Sequence, residues 1–176
     1  MSDTSNPTTG QGNGPAEAAR PAVPPIQIAA QYVKDLSFEN PNAPQSLMSA
    51  QTAPQVSVNV DVRTNQLNES TWEVVLNIRG DAKAGDSQAF IVELAYAGVV
   101  GLNNVPKEHA APILLIEVPR LLFPFARAVI AEATRNGGFP PLLVQPIDFA
   151  ELFRRQLQNL RERQQSQGAP AAGAPN

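Results

Sequence analysis

The chain has 176 residues, of which 43% are hydrophobic and 16% charged, and its formal net charge is −3. This length suits a single domain, and the acidic balance, without a basic patch or stripe, argues against nucleic acid as a partner. Cysteine is absent, which excludes disulfides, thiolate zinc sites and a cysteine nucleophile.

Both ends of the chain are poor in large apolar residues. Such segments bury too little apolar surface to offset the entropy of ordering. We therefore predict a disordered extension over 1–25, a folded domain over 26–163 and a disordered tail over 164–176. The first segment lacks the apolar stretch of a secretory signal, and no run approaches the ~20 apolar residues of a membrane span. We expect a soluble protein of the cytoplasm.

Four segments between these ends alternate apolar and polar residues with a period of two, which predicts β-strands. In chain order, the residues expected on the apolar faces are Ile26, Ile28, Ala30, Tyr32, Leu36 and Phe38; Val56, Val58, Val60 and Val62; Trp72, Val74, Leu76 and Ile78; and Phe90, Val92, Leu94 and Tyr96. One apolar and one polar face per strand is typical of an antiparallel sheet that is covered on a single side.

The links between these strands differ in length. Residues 65–70 and 82–87 are short and polar, which favours hairpins. Residues 40–55 form a longer link that contains three prolines, so we expect it to cross one end of the sheet. A Greek-key-like order follows, in which the first strand lies beside the fourth.

Two helices are predicted after the last strand. The first spans 119–136, follows a kinked, proline-containing lead-in and ends at Gly137 and Gly138. The second begins after Asp148, whose carboxylate can cap it, with Glu151 in the position of a capping box. Because both helices have an apolar stripe that matches the apolar sheet face, we predict an α+β fold with two helices packed on one face.

The sequence offers little that suggests catalysis. The single histidine, His109, stands without cysteines or clustered carboxylates nearby, and no phosphate loop, nucleophile elbow or HExxH pattern occurs. Asp61, Glu73 and Asp81 look like solvated positions on strands. We expect neither an enzyme nor a bound cofactor or metal. The alternative is a small α+β enzyme with an enclosed pocket near His109.

One charged arrangement stands out on the predicted polar face of the sheet. Asp35 and Glu39 lie four residues apart on the first strand, and the fourth strand adds Glu93 and the apolar Ile91. Three carboxylates around an apolar side chain would suit a basic, partly apolar partner. The alternative is an ordinary solvated sheet face.

Several runs of residues resemble the SecB family of protein-export chaperones. They are YVKDLSFENPNAP at 32–44, LLFPFAR at 121–127, GFPPL at 138–142 and PIDFAELF at 146–153. The resemblance extends in order from about residue 26 to residue 160, and the first run is the most specific. The extension and the tail are not part of the shared pattern.

The resemblance implies a fold, an assembly and an activity. SecB proteins have a four-stranded antiparallel sheet, a crossover loop after the first strand and two helices, and they form a dimer of dimers with the helices between two eight-stranded sheets. They bind unfolded preproteins in the cytoplasm without ATP and deliver them to the SecA motor. Homologous positions to Asp35, Glu39, Ile91 and Glu93 contact the zinc-containing C-terminal tail of SecA, so the zinc belongs to the partner.

The resemblance also implies a hydrophobic client groove, whose residues here would be Leu47, Met48, Val56, Val58 and Val60. The strand pattern alone would place the three valines in the core, so they either line an open stretch of the apolar face or are ordinary core. Residues expected in core and subunit packing are Phe90, Val92, Leu94 and Tyr96.

A second function fits the same fold: a SecB-like chaperone dedicated to one client, such as an antitoxin. Such a protein need not keep the SecA-binding residues. Because all three acidic positions are present in this chain, the general export role is favoured.

Overall fold

The computed structural model describes residues 24–48 and 54–167. In chain order, the elements are β1 (Ile26–Glu39), α1 (Gln45–Met48), β2 (Gln55–Gln66), β3 (Thr71–Ala84), β4 (Ser87–Leu102), α2 (Lys107–Pro112), a π-helical segment (Ile113–Glu117), α3 (Val118–Asn136) and α4 (Phe149–Gln167). The four strands form one antiparallel sheet with the helices against it. The predicted α+β class is confirmed.

The strand order in the sheet is β1-β4-β3-β2, as the Greek-key-like prediction requires. Hairpins join β2 to β3 and β3 to β4. The second hairpin turns at Gly85, whose φ of 61° lies in the left-handed region that glycine adopts without strain. Because β1 and β2 form opposite edges of the sheet, the link between them has to cross its full width. Part of that link, 49–53, lies outside the described residues.

Strand β1 departs from simple alternation at two places. Its register against β4 shifts between Ile28 and Ala30 and again between Val33 and Asp35. Each shift inserts one extra residue, a β-bulge, and therefore moves the following side chains to the other face. Ala30 and Tyr32 consequently lie on the polar face, so their predicted place on the apolar face was wrong. The second bulge restores the predicted phase from Asp35 onward.

The core lies between the helices and one face of the sheet, which we call the inner face. It is built mainly from β3, β4, α3 and the π-helical segment, and it includes Leu76, Ile78, Leu94, Leu122 and Ile130, each almost fully buried. Every inward residue of β3 from Val74 to Ala82 is buried. The two inner strands are therefore fully covered, whereas the edge strands are covered only in part.

The first helical region runs without a break from α2 through the π-helical segment into α3. Proline lacks the N–H of a helical hydrogen bond, and the π-helical segment lies between Pro112 and Pro119, where it accommodates both. The lead-in, predicted as less regular or kinked, is a short helix followed by a π-helical segment, and the helix over 119–136 is confirmed within one residue. At the end of α3, Phe139 N–H donates to Thr134 and Gly138 N–H to Arg135, which is the Schellman arrangement.

Helix α4 begins as predicted after Asp148. The carboxylate of Asp148 accepts a hydrogen bond from the Glu151 N–H at 3.0 Å, and this bond lowers the pKa of Asp148. The helix continues to Gln167, four residues into the segment predicted as a tail. The remainder of that tail and residues 1–23 lie outside the described residues. Within the described part, no helix is long and apolar enough to cross a membrane.

Candidate functional site: two opposed surfaces

The outer face of the sheet, opposite the helices, brings the four predicted partner-binding residues together. On β1, β4 and β3, three successive rows of outward residues stand side by side: Asp35, Ala95 and Asn77; Ser37, Glu93 and Arg79; Glu39, Ile91 and Asp81. We call these nine residues the outer array. Directly opposed residues in such rows have Cβ atoms about 4.5–5.5 Å apart. Glu93 therefore occupies the centre of the array.

The chemistry of the outer array suits a basic partner with an apolar contact. Asp35 and Glu39 are exposed on the edge strand, and Glu93 and Ile91 are partly exposed on its neighbour. Ile91 lies between Glu39 on one side and Asp81 on the other. An apolar side chain flanked by carboxylates can bury against a partner while the carboxylates attract its positive charges.

Arg79 is the cation of this array. Its Nη1 donates to Glu93, and its Nε and Nη2 donate to the two oxygens of Asp81 at 2.7 and 3.2 Å. These bonds, first those to Asp81 and then that to Glu93, raise the pKa of Arg79. The sequence had indicated Asp81 as an ordinary solvated residue. In the structure it shares one arginine with Glu93 and lies next to Ile91.

A second charged cluster lies on the same face, beside Asp35. The Glu73 carboxylate accepts hydrogen bonds from the Tyr32 hydroxyl and from Lys34 Nζ, the latter to both oxygens at 2.8 Å. The bond from Lys34, followed by that from Tyr32, lowers the pKa of Glu73, while the pKa of Tyr32 is raised. Lys34 is the extra residue of the second bulge. The cluster therefore ties the bulged part of β1 to β3 across β4.

The three predicted groove valines lie on the inner face, on the edge strand β2. The inward valines of β2 change along the strand from buried to open: Val62 is 5% exposed, Val60 is partly buried, and Val58 and Val56 are 41% and 37% exposed. The question left open by the sequence has a geometric answer: Val56 and Val58 line an open stretch of the core-facing side.

The segment between α3 and α4 forms one wall beside these valines. Val58 pairs with Gly80 on β3. Leu142 lies directly over Gly80, since a Cβ added to this glycine would stand 3.0 Å from the Cδ2 atom of Leu142. The Leu142 N–H donates to the hydroxyl of the buried Thr134 at 2.9 Å, which fixes this segment to α3. The next residue, Leu143, is exposed. Leu142 therefore lies beside the row of Val58 on the inner face.

The crossover residues close the same end of the inner face. Leu47, in α1, packs against Gly138, whose φ of 87° favours glycine and where an added Cβ would stand 3.1 Å from Leu47 Cδ2. Met48 is 83% exposed. Its unbranched, flexible side chain is of the kind that adapts to varied apolar contacts.

The four residues expected in core and subunit packing are buried on the inner face: Phe90, Val92, Leu94 and Tyr96. Phe90 stacks on Phe38 and contacts the tilted ring of Phe139, with ring centroids 5.6 and 4.8 Å away. Tyr96, the last of these four along β4, donates a long hydrogen bond to the side-chain oxygen of Gln31.

The described residues contain little that resembles a reaction site. No group of three or more His, Cys, Asp and Glu side chains in this part of the chain is arranged to hold a metal ion. A cavity of about 360 Å³ lies beside α2, lined among others by Trp72, Lys107 and Leu114. His109 is exposed and does not line it. In the described chain this cavity therefore lies next to His109, between Lys107 and Ala110, without including its side chain.

Comparison with known proteins gives a consistent result. Residues 19–160 match the family described as preprotein translocase subunit SecB. The chain is 52% identical over 161 residues to the protein-export protein SecB of Rhodopseudomonas palustris (strain HaA2), which covers 91% of this chain and 98% of that relative. It is 55% identical to the protein-export protein SecB of Rhodospirillum centenum over 84% of this chain and 90% of that relative.

A solved structure shares the fold. The SecB-like chaperone of Mycobacterium tuberculosis, in complex with a peptide from an antitoxin, superimposes with a TM-score of 0.59 over 69% of this chain and 90% of its own, at 12% identity. Fold and surfaces thus define an α+β binding protein with exposed apolar side chains on one face of its sheet and a charged array on the other. The chain belongs to the SecB family, a family of chaperones and not of enzymes.

The sequence pattern alone does not reveal some residues of both surfaces. Arg79 and Asp81 looked like ordinary polar strand residues, because alternation gives the face of a residue but not its cross-strand neighbour. Leu142 and Leu143 lie after α3, in a segment whose sequence has no periodic pattern. Gly80, an isolated glycine inside a strand, was the available signal, since such a glycine indicates that another chain segment approaches closely.

Proposed function

We propose that this chaperone of preprotein export acts as a holdase: it binds unfolded preproteins in the cytoplasm, without ATP and without catalysis, and delivers them to SecA. The observation that supports this most strongly is the gradient along β2, from the buried Val62 to the open Val56 and Val58. A folded domain rarely leaves the core-facing side of a strand uncovered unless something else covers it.

The client groove would be formed by Leu47, Met48, Val56, Val58 and Val60, together with the neighbouring Leu142 and Leu143. Its walls are side chains without charge, so recognition would depend on apolar area and not on sequence. Unfolded preproteins expose such area, whereas folded proteins do not. This difference would let one groove accept many clients and release them once they fold or are exported.

The outer array would be the contact for the zinc-containing tail of SecA, through Asp35, Glu39, Ile91 and Glu93. Its carboxylates would attract a basic segment, and Ile91 would provide the apolar contact. Because the array and the groove lie on opposite faces of the sheet, a client and SecA could be bound at the same time. Such simultaneous binding is what a handover requires.

The chain would assemble as a dimer of dimers. Helix α3 exposes Leu121 and Phe125, and α4 exposes Leu157 and Leu160. Self-association would bury these apolar side chains in the arrangement of the family, with the helices between two sheets.

A chaperone dedicated to a single client is the second candidate, because the structural neighbour named above holds an antitoxin peptide. That neighbour shares only the fold. The outer array favours the export role, since a dedicated chaperone has no need of a docking site for SecA.

The proposal is tested by titrating a reduced, unfolded preprotein carrying a fluorescent label with the full chain, in the absence of nucleotide. We expect saturable binding that the folded form of the same protein does not show. If binding appeared only after ATP was added, the holdase proposal would be wrong.

A further inference from the structure

The outer array contains two residues, Arg79 and Asp81, that form a continuous chain of charges with Glu93. Arg79 is directly opposite Glu93, and Asp81 is directly opposite Ile91. The guanidinium donates to both oxygens of Asp81 and, with its remaining terminal nitrogen, to Glu93. One planar cation therefore fixes two carboxylates on neighbouring strands.

The position of Asp81 makes Ile91 the centre of an acidic frame. Glu39 on β1 and Asp81 on β3 are its two cross-strand neighbours, and Glu93 is the next outward residue on its own strand. The Asp81 side chain is 29% exposed, which leaves part of the carboxylate accessible. A partner that places an apolar group on Ile91 would therefore have its basic groups next to Asp81 as well as next to Glu39.

Without Arg79, three carboxylates would crowd around one isoleucine. Glu93 is diagonal to both Glu39 and Asp81, which stand on either side of Ile91. Like charges at these distances still repel each other, so flexible side chains would turn away from one another and from Ile91. A guanidinium fork imposes one geometry on its carboxylates, which a single lysine ammonium does not do. Preorganised charges bind more tightly because they lose less freedom on association.

We propose that Asp81 is a further contact residue of the SecA-binding surface and that Arg79 is a positioning residue, which holds Glu93 and Asp81 in the geometry the partner binds. This inference rests on the proposed function of the outer array. It extends that surface from β1 and β4 onto β3.

Substitution of Arg79 separates positioning from simple electrostatics, because the two effects have opposite signs. Arg79→Gln makes the surface more negative, which on charge alone would strengthen binding of a basic partner. Loss of positioning weakens it. We expect Arg79→Gln to bind the zinc-loaded C-terminal tail of SecA about three- to tenfold more weakly, through faster dissociation. Arg79→Lys keeps the charge without the fork, and its affinity should lie between those of the wild type and Arg79→Gln.

Arg63 provides a matched control on the same sheet. It pairs with Asp61 two residues away on β2, just as Arg79 pairs with Asp81 on β3, but it lies outside the outer array. Arg63→Gln changes the net charge equally and should change affinity less than about twofold. Asp81→Asn should weaken binding about three- to tenfold and flatten its salt dependence.

The titrations are done by calorimetry and stopped flow on the full chain, with thermal stability and unfolded-client binding measured for each variant. A merely structural role for Arg79 would lower stability and client binding together with SecA affinity, and that result would overturn the inference. Two further results would overturn it, provided that Asp35→Lys still binds the SecA tail weakly. One is unchanged or tighter binding by Arg79→Gln, and the other is full affinity in Asp81→Asn. If the wild-type chain did not bind the SecA tail at all, the proposed function of the array would fail too.

Discussion

Single side chains of the outer array give the sharpest prediction at the residue scale. Asp35→Lys and Glu93→Lys should each weaken SecA binding, and the double variant should weaken it further, because each reverses a charge that faces the basic partner. Exposed charges contribute only about 0–1 kcal/mol to folding, so the midpoint of thermal unfolding should barely move. Lower ionic strength should strengthen wild-type binding, since screening decreases.

Calorimetric titration against the zinc-loaded SecA tail measures this effect. Unfolded-client binding serves as the control, because the groove lies on the other face. Unchanged affinity in the double variant would exclude the outer array as the docking site, and an equal loss of client binding would show that these residues are structural.

Glu73 predicts a pH dependence of stability. Its lowered pKa means that the folded state favours the carboxylate, held by Lys34 and Tyr32. The resulting stability is fully present above the ordinary carboxyl pKa and is lost as the pH falls through the lowered value in the folded state. Glu73→Gln should therefore cost about 1–3 kcal/mol near pH 7 and much less in acid. Urea unfolding of both proteins from pH 7 to pH 3 measures the difference, and a difference independent of pH would contradict it.

The residues of β1 illustrate how far the sequence predicts this site. Alternation correctly put Asp35 and Glu39 on the outer face, with Ile91 and Glu93 on the strand that lies beside them. It failed for Ala30 and Tyr32, because two bulges reverse the phase and then restore it. Bulges depend on pairing with another strand, which alternation within one strand does not contain.

At the scale of elements, β2 offers a comparison within one strand. Val58→Ser should lower the affinity for an unfolded client with little loss of stability, because the side chain is already 41% exposed. Val62 lies two rows further along the same face. Val62→Ser should instead lower the free energy of unfolding by about 2 kcal/mol, since it removes buried methyl groups and buries a hydroxyl. Client titration and urea unfolding distinguish the two effects. Equal destabilisation by both variants would place Val58 in the core.

The helices and strands themselves were largely predictable, since their caps, breakers and periods are local. Asp148, Gly137 and Gly138 lie where the ends of α3 and α4 require them. The opening of the groove was not predictable in the same way. Val56 and Val62 have the same place in the alternating pattern, and only the packing of later segments onto the sheet decides which of them is covered.

For the whole molecule, the exposed stripes on α3 and α4 predict self-association. The native chain should scatter light as a tetramer at micromolar concentration, because Leu121 and Phe125 become buried between subunits. Phe125→Glu places a charge in that contact and should shift the protein to smaller species with unchanged helix content. Ser87→Glu, on an exposed strand end, adds the same charge and should leave the tetramer intact. A wild-type protein that stayed monomeric would contradict the assembly.

Under the proposed function, this chain binds unfolded preproteins as an assembled chaperone without nucleotide. Native mass spectrometry of the full chain, alone and with a reduced preprotein, tests oligomeric state and client binding in one measurement. We expect a homotetramer that forms a complex with the unfolded preprotein and not with its folded form, in buffer free of ATP. A monomer, or a complex that forms equally well with the folded protein, would contradict the account.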